Sequence, residues 1–213
     1  AQQDWLFSRW GESVVGVRLD QHSELDAPIA SPRVALALRP GDDWRLRTAF
    51  ATGFRAPQPF DEDLHIATVG GAARLVENDP NLLPERSRSL AQQVAFKQAL
   101  PGDANLELGL NGYFNQLNDA FVLNERDEPD TPEEEVIREN RGTTTVIGTE
   151  LEAGIEAPRW AGRAGWTLER AQNDEPEEDF GQTRLFRTPV HYGYVEGLFR
   201  HKGLQIQTGV DVT

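Results

Sequence analysis

Apolar and polar side chains alternate with a period of two along much of this chain, and that pattern limits its fold more sharply than anything else. Leu204, Ile206, Thr208, Val210 and Val212 fall on one side of an extended segment, opposed by Gln205, Gln207, Gly209 and Asp211. Leu106, Leu108, Leu110, Gly112 and Phe114 oppose Asn105, Glu107, Gly109, Asn111 and Tyr113 in the same way. Leu151, Ala153 and Ile155 face away from Glu150, Glu152 and Glu156, and Trp44, Leu46, Thr48 and Phe50 face away from Arg45, Arg47, Ala49 and Ala51. Val15, Val17 and Leu19 oppose Gly16, Arg18 and Asp20; Val34, Leu36 and Leu38 oppose Ala35, Ala37 and Arg39. Alternation of this kind marks strands with two unlike faces. By this rule roughly ten strands lie near 4–10, 13–20, 32–39, 44–55, 86–98, 105–121, 142–157, 164–172, 187–200 and 204–213. The first is poorly patterned, and the strand at 187–200 is weakened by Glu196 sharing a face with Tyr192, Tyr194 and Leu198.

The connections narrow the class further. Tight turns are expected at Gly11-Glu12, 40–43, 101–104, 158–163 and 201–203, and longer polar segments at 21–31, 56–85, 122–141 and 173–186. Short and long connections alternate, as in an up-and-down transmembrane barrel with short turns at the periplasmic rim and long loops outside. Greek-key sandwiches mix connection lengths at both ends. No stretch approaches the ~18 uncharged apolar residues that a spanning helix needs. Arg45 or Arg47 in lipid near the midplane would cost roughly 2–4 kcal/mol each, so the polar face belongs to a wet lumen. The same reasoning sends Arg18, Glu107, Glu150, Glu152 and Glu156 inward. The aromatic residues Trp5, Trp10, Trp44, Phe54, Tyr113, Trp160 and Trp166 lie mostly near strand ends, where interfacial girdles form.

Composition removes other classes. The net charge of −14 argues against nucleic acid, whose phosphates need clustered Lys and Arg. Most acid sits in two runs, 127–135 and 174–179, which read as solvated loops. Cysteine is absent, so disulfides, thiolate metal sites and Cys nucleophiles are excluded. On this strand map both ends of the chain fall at the outer rim and leave two unpaired edges, which is the expectation for a piece of a larger barrel.

Ser31-Pro-Arg33, a strand, a tight turn and then Leu46-Arg-Thr-Ala-Phe-Ala-Thr-Gly-Phe-Arg-Ala-Pro57 resemble the barrel domain of TonB-dependent outer-membrane receptors. Gly16-Val-Arg-Leu-Asp20, Asn81-Leu-Leu-Pro-Glu-Arg-Ser87, Asn140-Arg-Gly142, Gly148-Thr-Glu-Leu-Glu152 and Thr188-Pro189 follow in the family's order. The resemblance runs from about residue 13 to 213. It marks Gly53, Phe54, Arg55, Ala56, Pro57, Pro84, Glu85, Gly148 and Glu150 as structural positions. Gly53 lets a strand bend at the rim, and Pro57 cannot donate to a ladder, so 53–57 suits a strand exit.

The family implies an all-β, up-and-down antiparallel barrel of about 22 strands, of which this chain supplies about ten. Residues 1–213 then form part of one barrel domain, with the plug domain, early strands and final strand absent. It further implies energy-coupled import across the outer membrane of a Gram-negative-type bacterium. The TonB complex would act through the plug region, and lipid and lipopolysaccharide would surround the wall. The first ligand class is a ferric siderophore, with cobalamin or haem as alternatives.

Candidate sites are few. Asp61, Glu62, Asp63 and His65, with Phe60 beside them, are candidate ligand contacts on an outer loop, as a site for a metal or its chelate. The blander reading, a solvated loop with a helix-capping Asp, weighs more. His22, His191 and His201 lack zinc-site spacing, and the acidic runs lack the glycine of a calcium loop, so no resident metal or other cofactor is expected. Arg86 and Arg88 read as partners in lumenal ion pairs rather than as contacts for ligand or anionic lipid sugars. No nucleophile elbow, phosphate loop or zinc-protease helix occurs, and an enzyme is not expected. Two other classes stay open: a self-contained pore or adhesin barrel, and a soluble β-rich envelope module. Apolar rows such as 204–212 would drive the second to associate.

Overall fold

A computed structural model describes residues 1–23, 25, 27–57, 75–126, 135–176, 181–186 and 188–213. The described residues form eleven strands and no helix: β1 (Gln2–Ser8), β2 (Gly11–Asp20), β3 (Ile29–Leu38), β4 (Trp44–Arg55), β5 (Leu75–Asn78), β6 (Glu85–Leu100), β7 (Ala104–Arg126), β8 (Glu135–Glu156), β9 (Trp160–Asn173), β10 (His191–His201) and β11 (Leu204–Val212). All belong to one sheet. Ten follow one another as β1-β2-β3-β4-β6-β7-β8-β9-β10-β11, each antiparallel to its neighbours, while β5 pairs with β8 in parallel off this path. The sheet is not closed.

The pairing register explains why alternation survives from strand to strand. Directly paired residues share a face, and one row runs Trp44–Phe96–Leu108–Ala153–Ala164–Val195–Val210 across seven strands. The next is Leu46–Val94–Leu110–Leu151–Trp166–Gly193–Val212. Two rows further on, Val15, Val34, Phe50, Leu90, Phe114 and Ile147 line up across β2 to β8. From the Trp44 row to the Phe50 row this sheet face carries no Asp, Glu, Lys or Arg until Arg170 on β9, and it is apolar except in the row Ser13–Leu36–Thr48–Gln92–Gly112–Thr149–Leu168–His191, where Thr48 bonds Gln92. Trp44, Leu110, Leu151, Trp166 and Val195 are all exposed on it.

Among the described residues no core lies behind that face. The buried apolar residues among them are Ile29, Ala56, Ala104, Val136, Ala157 and Ala171, all toward strand ends or connections. Leu204, Ile206 and Val210 are 58%, 54% and 64% exposed rather than packed in a second layer. In water such a surface would associate; in hydrocarbon it is the stable arrangement, since the ladders satisfy the backbone internally.

The predicted strands match ten of the eleven, with differences that have physical causes. Within 122–141, expected as a loop, residues 122–126 and 135–141 are strand: β7 continues to Arg126 and β8 begins at Glu135, paired from Ala120↔Arg141 to Arg126↔Glu135. A hairpin that rises out of a bilayer is wet on both faces and loses the alternation that reveals it. β5 lies inside the expected loop 56–85 and pairs with a strand about 60 residues away. In β10 the apolar face carries Gly193, Val195, Gly197 and Phe199, while Glu196 pairs with Arg163 and Gly209 on the polar face. Tyr192, Tyr194 and Leu198 share that polar face, so Glu196 breaks no pattern. In β1 a register shift between Leu6 and Ser8 accounts for its poor patterning. The turn after β1 falls at Arg9-Trp10, two residues before the expected position. Tight turns at 101–103 and 202–203 hold as expected, with Gly102, Asp103, Lys202 and Gly203 all at positive φ.

Candidate functional site

The long-loop end of β4 and the start of β6 meet in a clasp. β4 and β6 pair through to Arg55↔Glu85, which places the two side chains on one face at the rim. Arg55 Nε lies 2.7 Å from Glu85 Oε2 and its Nη2 donates to Glu85 Oε1 at 3.2 Å, a fork-on-fork ion pair. Glu85 Oε1 also accepts the backbone N–H of Phe121 on β7 at 2.7 Å. The Arg55 guanidinium sits 4.7 Å from the centre of the Phe121 ring. Glu85 is buried, and so are Ala56 and Pro57, where the chain leaves the ladder. Gly53 faces Ser87, whose Oγ would lie 2.9 Å from an added β-carbon. The motif positions Gly53, Arg55, Ala56, Pro57 and Glu85, separated by about 30 residues, are thus two halves of one device.

A second knot lies beside it. Asn140 on β8 accepts the N–H of Leu83 at 2.7 Å and donates to the Leu83 carbonyl at 2.9 Å, fixing the segment that leads through Pro84 to the clasp. The same amide donates to the carbonyl of Asp119, a residue at φ 55, at 2.7 Å. Arg138, almost fully buried, donates to Asn78 at 3.2 Å, and the Asp79 N–H bonds the Arg138 carbonyl at 2.9 Å. β5 covers the stretch of β8 that β9 does not reach, because β9 pairs with β8 only up to Thr144↔Asn173. At Gly142 an added β-carbon would lie 2.2 Å from the Asp174 carboxylate, which accepts the Thr143 N–H at 2.7 Å.

The polar face is organised by long side chains laid across glycines. Tyr113 on β7 crosses Gly148 on β8, with its ring 2.4 Å from where a β-carbon would stand, and donates to Glu169 on β9 at 2.5 Å. Tyr194 on β10 crosses Gly165 on β9 and reaches Glu152 on β8 at 3.4 Å. Arg33 crosses Gly16 to bond Gln2. Asn111 donates to Glu150 at 3.3 Å, and Arg200 reaches Glu156 at 3.2 Å. Tyr113 therefore belongs to this polar surface and not to an interfacial girdle. The aromatics that do cluster at the tight-turn end are Trp10 with Phe7, 5.4 Å between ring centres, and Trp44 with Phe96, 4.8 Å.

Phe60, Asp61, Glu62, Asp63 and His65 lie outside the described residues. His22, His191 and His201 sit on separate elements, and among the described residues no three His, Asp or Glu side chains gather as a metal site would need. Arg86 and Arg88, expected in lumenal ion pairs, are on the other face: they pair with Phe54 and Thr52 on β4 and with Asn118 and Gln116 on β7, in step with Leu90 and Phe114. Phe121, Asn78 and Arg138 carried no signal in the sequence, since each is defined by partners from distant segments. Asn140 did, through the Asn-Arg-Gly motif, although not its three-way bonding.

Comparison with known proteins agrees with the geometry. No curated protein sequence matches the chain. Among solved structures, the siderophore receptor PirA from Pseudomonas aeruginosa superposes with a TM-score of 0.71 at 15% identity, over 99% of this chain and 38% of that one. The copper transporter OprC gives 0.67 at 15% identity, over 98% and 33%. The haemophore receptor HasR of Serratia marcescens, solved with its haemophore HasA and haem, gives 0.63 at 15% identity, over 94% and 39%. At such identities the likeness is one of fold, and the chain spans less than two-fifths of the length of these proteins. The profile of the TonB-dependent receptor-like β-barrel matches residues 1–208, and the chain belongs to that family.

Proposed function

We propose that this chain is a wall segment of an outer-membrane importer that takes up a ferric siderophore, driven by the TonB complex. The observation that carries the reading is the exposed, mostly apolar face, free of Asp, Glu, Lys and Arg in its middle rows and held in register over ten strands, with a polar and hydrogen-bonded face behind it. A wall of that kind separates hydrocarbon from a wet interior large enough to hold another protein element. In this reading the plug, the TonB contact, the earlier strands and the closing strand are supplied by the rest of the receptor. The chain contributes the long segments 56–85, 127–134 and 174–190 at the outer rim. The clasp of Arg55 and Glu85 ties together the two ends of the first, the segment that contains Phe60, Asp61, Glu62, Asp63 and His65 as candidate ligand contacts. A siderophore ranks first because two of the structures similar to this chain are named siderophore receptors. Haem stands second on the likeness to HasR, and cobalamin third on family grounds alone.

The test is growth. The whole receptor carrying this chain is expressed in a host stripped of its own ferric-siderophore receptors, and growth is scored on single ferric siderophores, haem, copper and cobalamin. Growth on a ferric siderophore that is lost when TonB is deleted is the expected result. Growth that survives TonB deletion would point to a passive pore, and growth on haem or cobalamin alone would reassign the ligand.

A further inference from the structure

The rows just beyond the apolar band carry positive charge, in a chain where acids outnumber bases 35 to 21. On β6 the first charged residue past Leu90 on the apolar face is Arg88, followed by Arg86; on β9 the first past Leu168 is Arg170. Between them on the same face stand Gln116 and Asn118 of β7 and Thr143 and Thr145 of β8. Asp174, just past β9 at this level, accepts the Thr143 N–H. Arg86, Arg88 and Arg170 are exposed, and none forms an ion pair or hydrogen bond with a described residue.

Height decides what they meet. About ten residues of β9 separate Arg170 from Trp160 at the tight-turn end, and about twelve of β6 separate Arg88 from Leu100. At about 3.3 Å per residue and a tilt near 40°, these are rises of about 25 and 30 Å. The apolar band of an outer-membrane barrel is about 25 Å tall, so the arginines stand in the headgroup layer of the outer leaflet and look away from the lumen. Three guanidinium groups free to donate in pairs, spread over four strands among neutral amides and hydroxyls, suit phosphate oxygens.

We infer that Arg86, Arg88 and Arg170 form a binding site on the outside of the wall for the phosphate groups of an anionic lipid of the outer leaflet. The inference rests on the reading of this chain as an outer-membrane wall, and the two fail separately.

The whole receptor is purified in a zwitterionic detergent, and binding of diphosphorylated lipid A, the same lipid stripped of phosphate, and inorganic phosphate is measured by native mass spectrometry and titration. Wild type should hold diphosphorylated lipid A at least about tenfold more tightly than the stripped lipid, with affinity falling as salt rises. The triple variant R86Q/R88Q/R170Q should lose that margin, and R86K/R88K/R170K should keep part of it, because an ammonium retains charge but not the planar fork. Both variants should keep the heat-modifiable gel mobility of a folded barrel and the wild-type growth on ferric siderophore. Equal binding of phosphorylated and stripped lipid, an unchanged triple Gln variant, or inorganic phosphate competing at the lipid's own concentration would each overturn the site. Wild-type receptor that binds no lipid and does not enter bilayers would sink the wall reading instead.

Discussion

The middle of the wall and its outer rim are built on opposite principles. In the middle, side chains such as Leu110, Leu151 and Val195 are exposed and bury nothing against one another across a core; order comes from the ladder and from the medium outside. At the rim, Glu85, Arg138, Val136 and Ala56 are buried, and Glu85 and Arg138 are held by Arg55, the Phe121 N–H and Asn78. The middle therefore tolerates any apolar side chain of suitable size and no charge. The rim tolerates few changes, each local in its reach. Both halves of that contrast can be broken.

Charge on the apolar face should do most damage. Leu151→Arg, two rows below the headgroup level, should cost about 2–4 kcal/mol, while Asn111→Arg on the polar face of the neighbouring strand should cost under about 1. Denaturant titration of the receptor folded into liposomes measures both, and equal losses would erase the distinction between faces. Next comes the clasp. Glu85→Ala leaves Arg55 and the Phe121 N–H without their acceptor, at about 1–3 kcal/mol, and Glu85→Gln should recover part of it. Faster hydrogen exchange at the Phe121 amide together with faster proteolysis within 58–74 is the expected signature; unchanged rates would show that the clasp does not root the loop. Tyr113→Phe removes one bond to Glu169 but keeps the ring over Gly148, at about 1 kcal/mol or less, whereas Gly148→Val displaces the ring and should cost more. If the two variants unfold at the same denaturant concentration, packing over the glycine is not what orders this face. Smallest of all, Lys97→Ala deletes an exposed pair with Glu107 on the polar face and should change stability by less than about 1 kcal/mol. A larger loss would mean that this stretch is drier than its exposure indicates.

The same contrast governs what could be read in advance. Mid-wall strands are legible one at a time, because each must present hydrocarbon and water with alternate residues; Leu204 to Val212 needs no partner to be recognised. Above the band both faces are wet, and 122–126 and 135–141 look like loop although they pair as antiparallel strands. β5 is four residues long and its partner is remote, so nothing local announces it. Arg55 and Glu85 stand in two motif segments, yet neither segment says that one binds the other. Arg86 and Arg88 teach a different lesson. Counting by twos from Leu90 puts both on the apolar side, while the cost of charge in lipid, applied without regard to height, sends them to the lumen. Depth along the strand settles the conflict.

β5 carries one more consequence. Where β9 has ended, the outer flank of β8 would offer a row of bare amides and carbonyls to whatever drifted past, including a sister molecule. Four residues that lie between β4 and β6 in sequence dress that flank, with β6, β7 and β8 standing between them and β4 in the sheet. The length of that connection is then set partly by the gap it has to bridge. Trimming it to suit a smaller cargo would undress the hairpin and invite self-pairing, so an engineer seeking new specificity here should exchange side chains and leave the span alone.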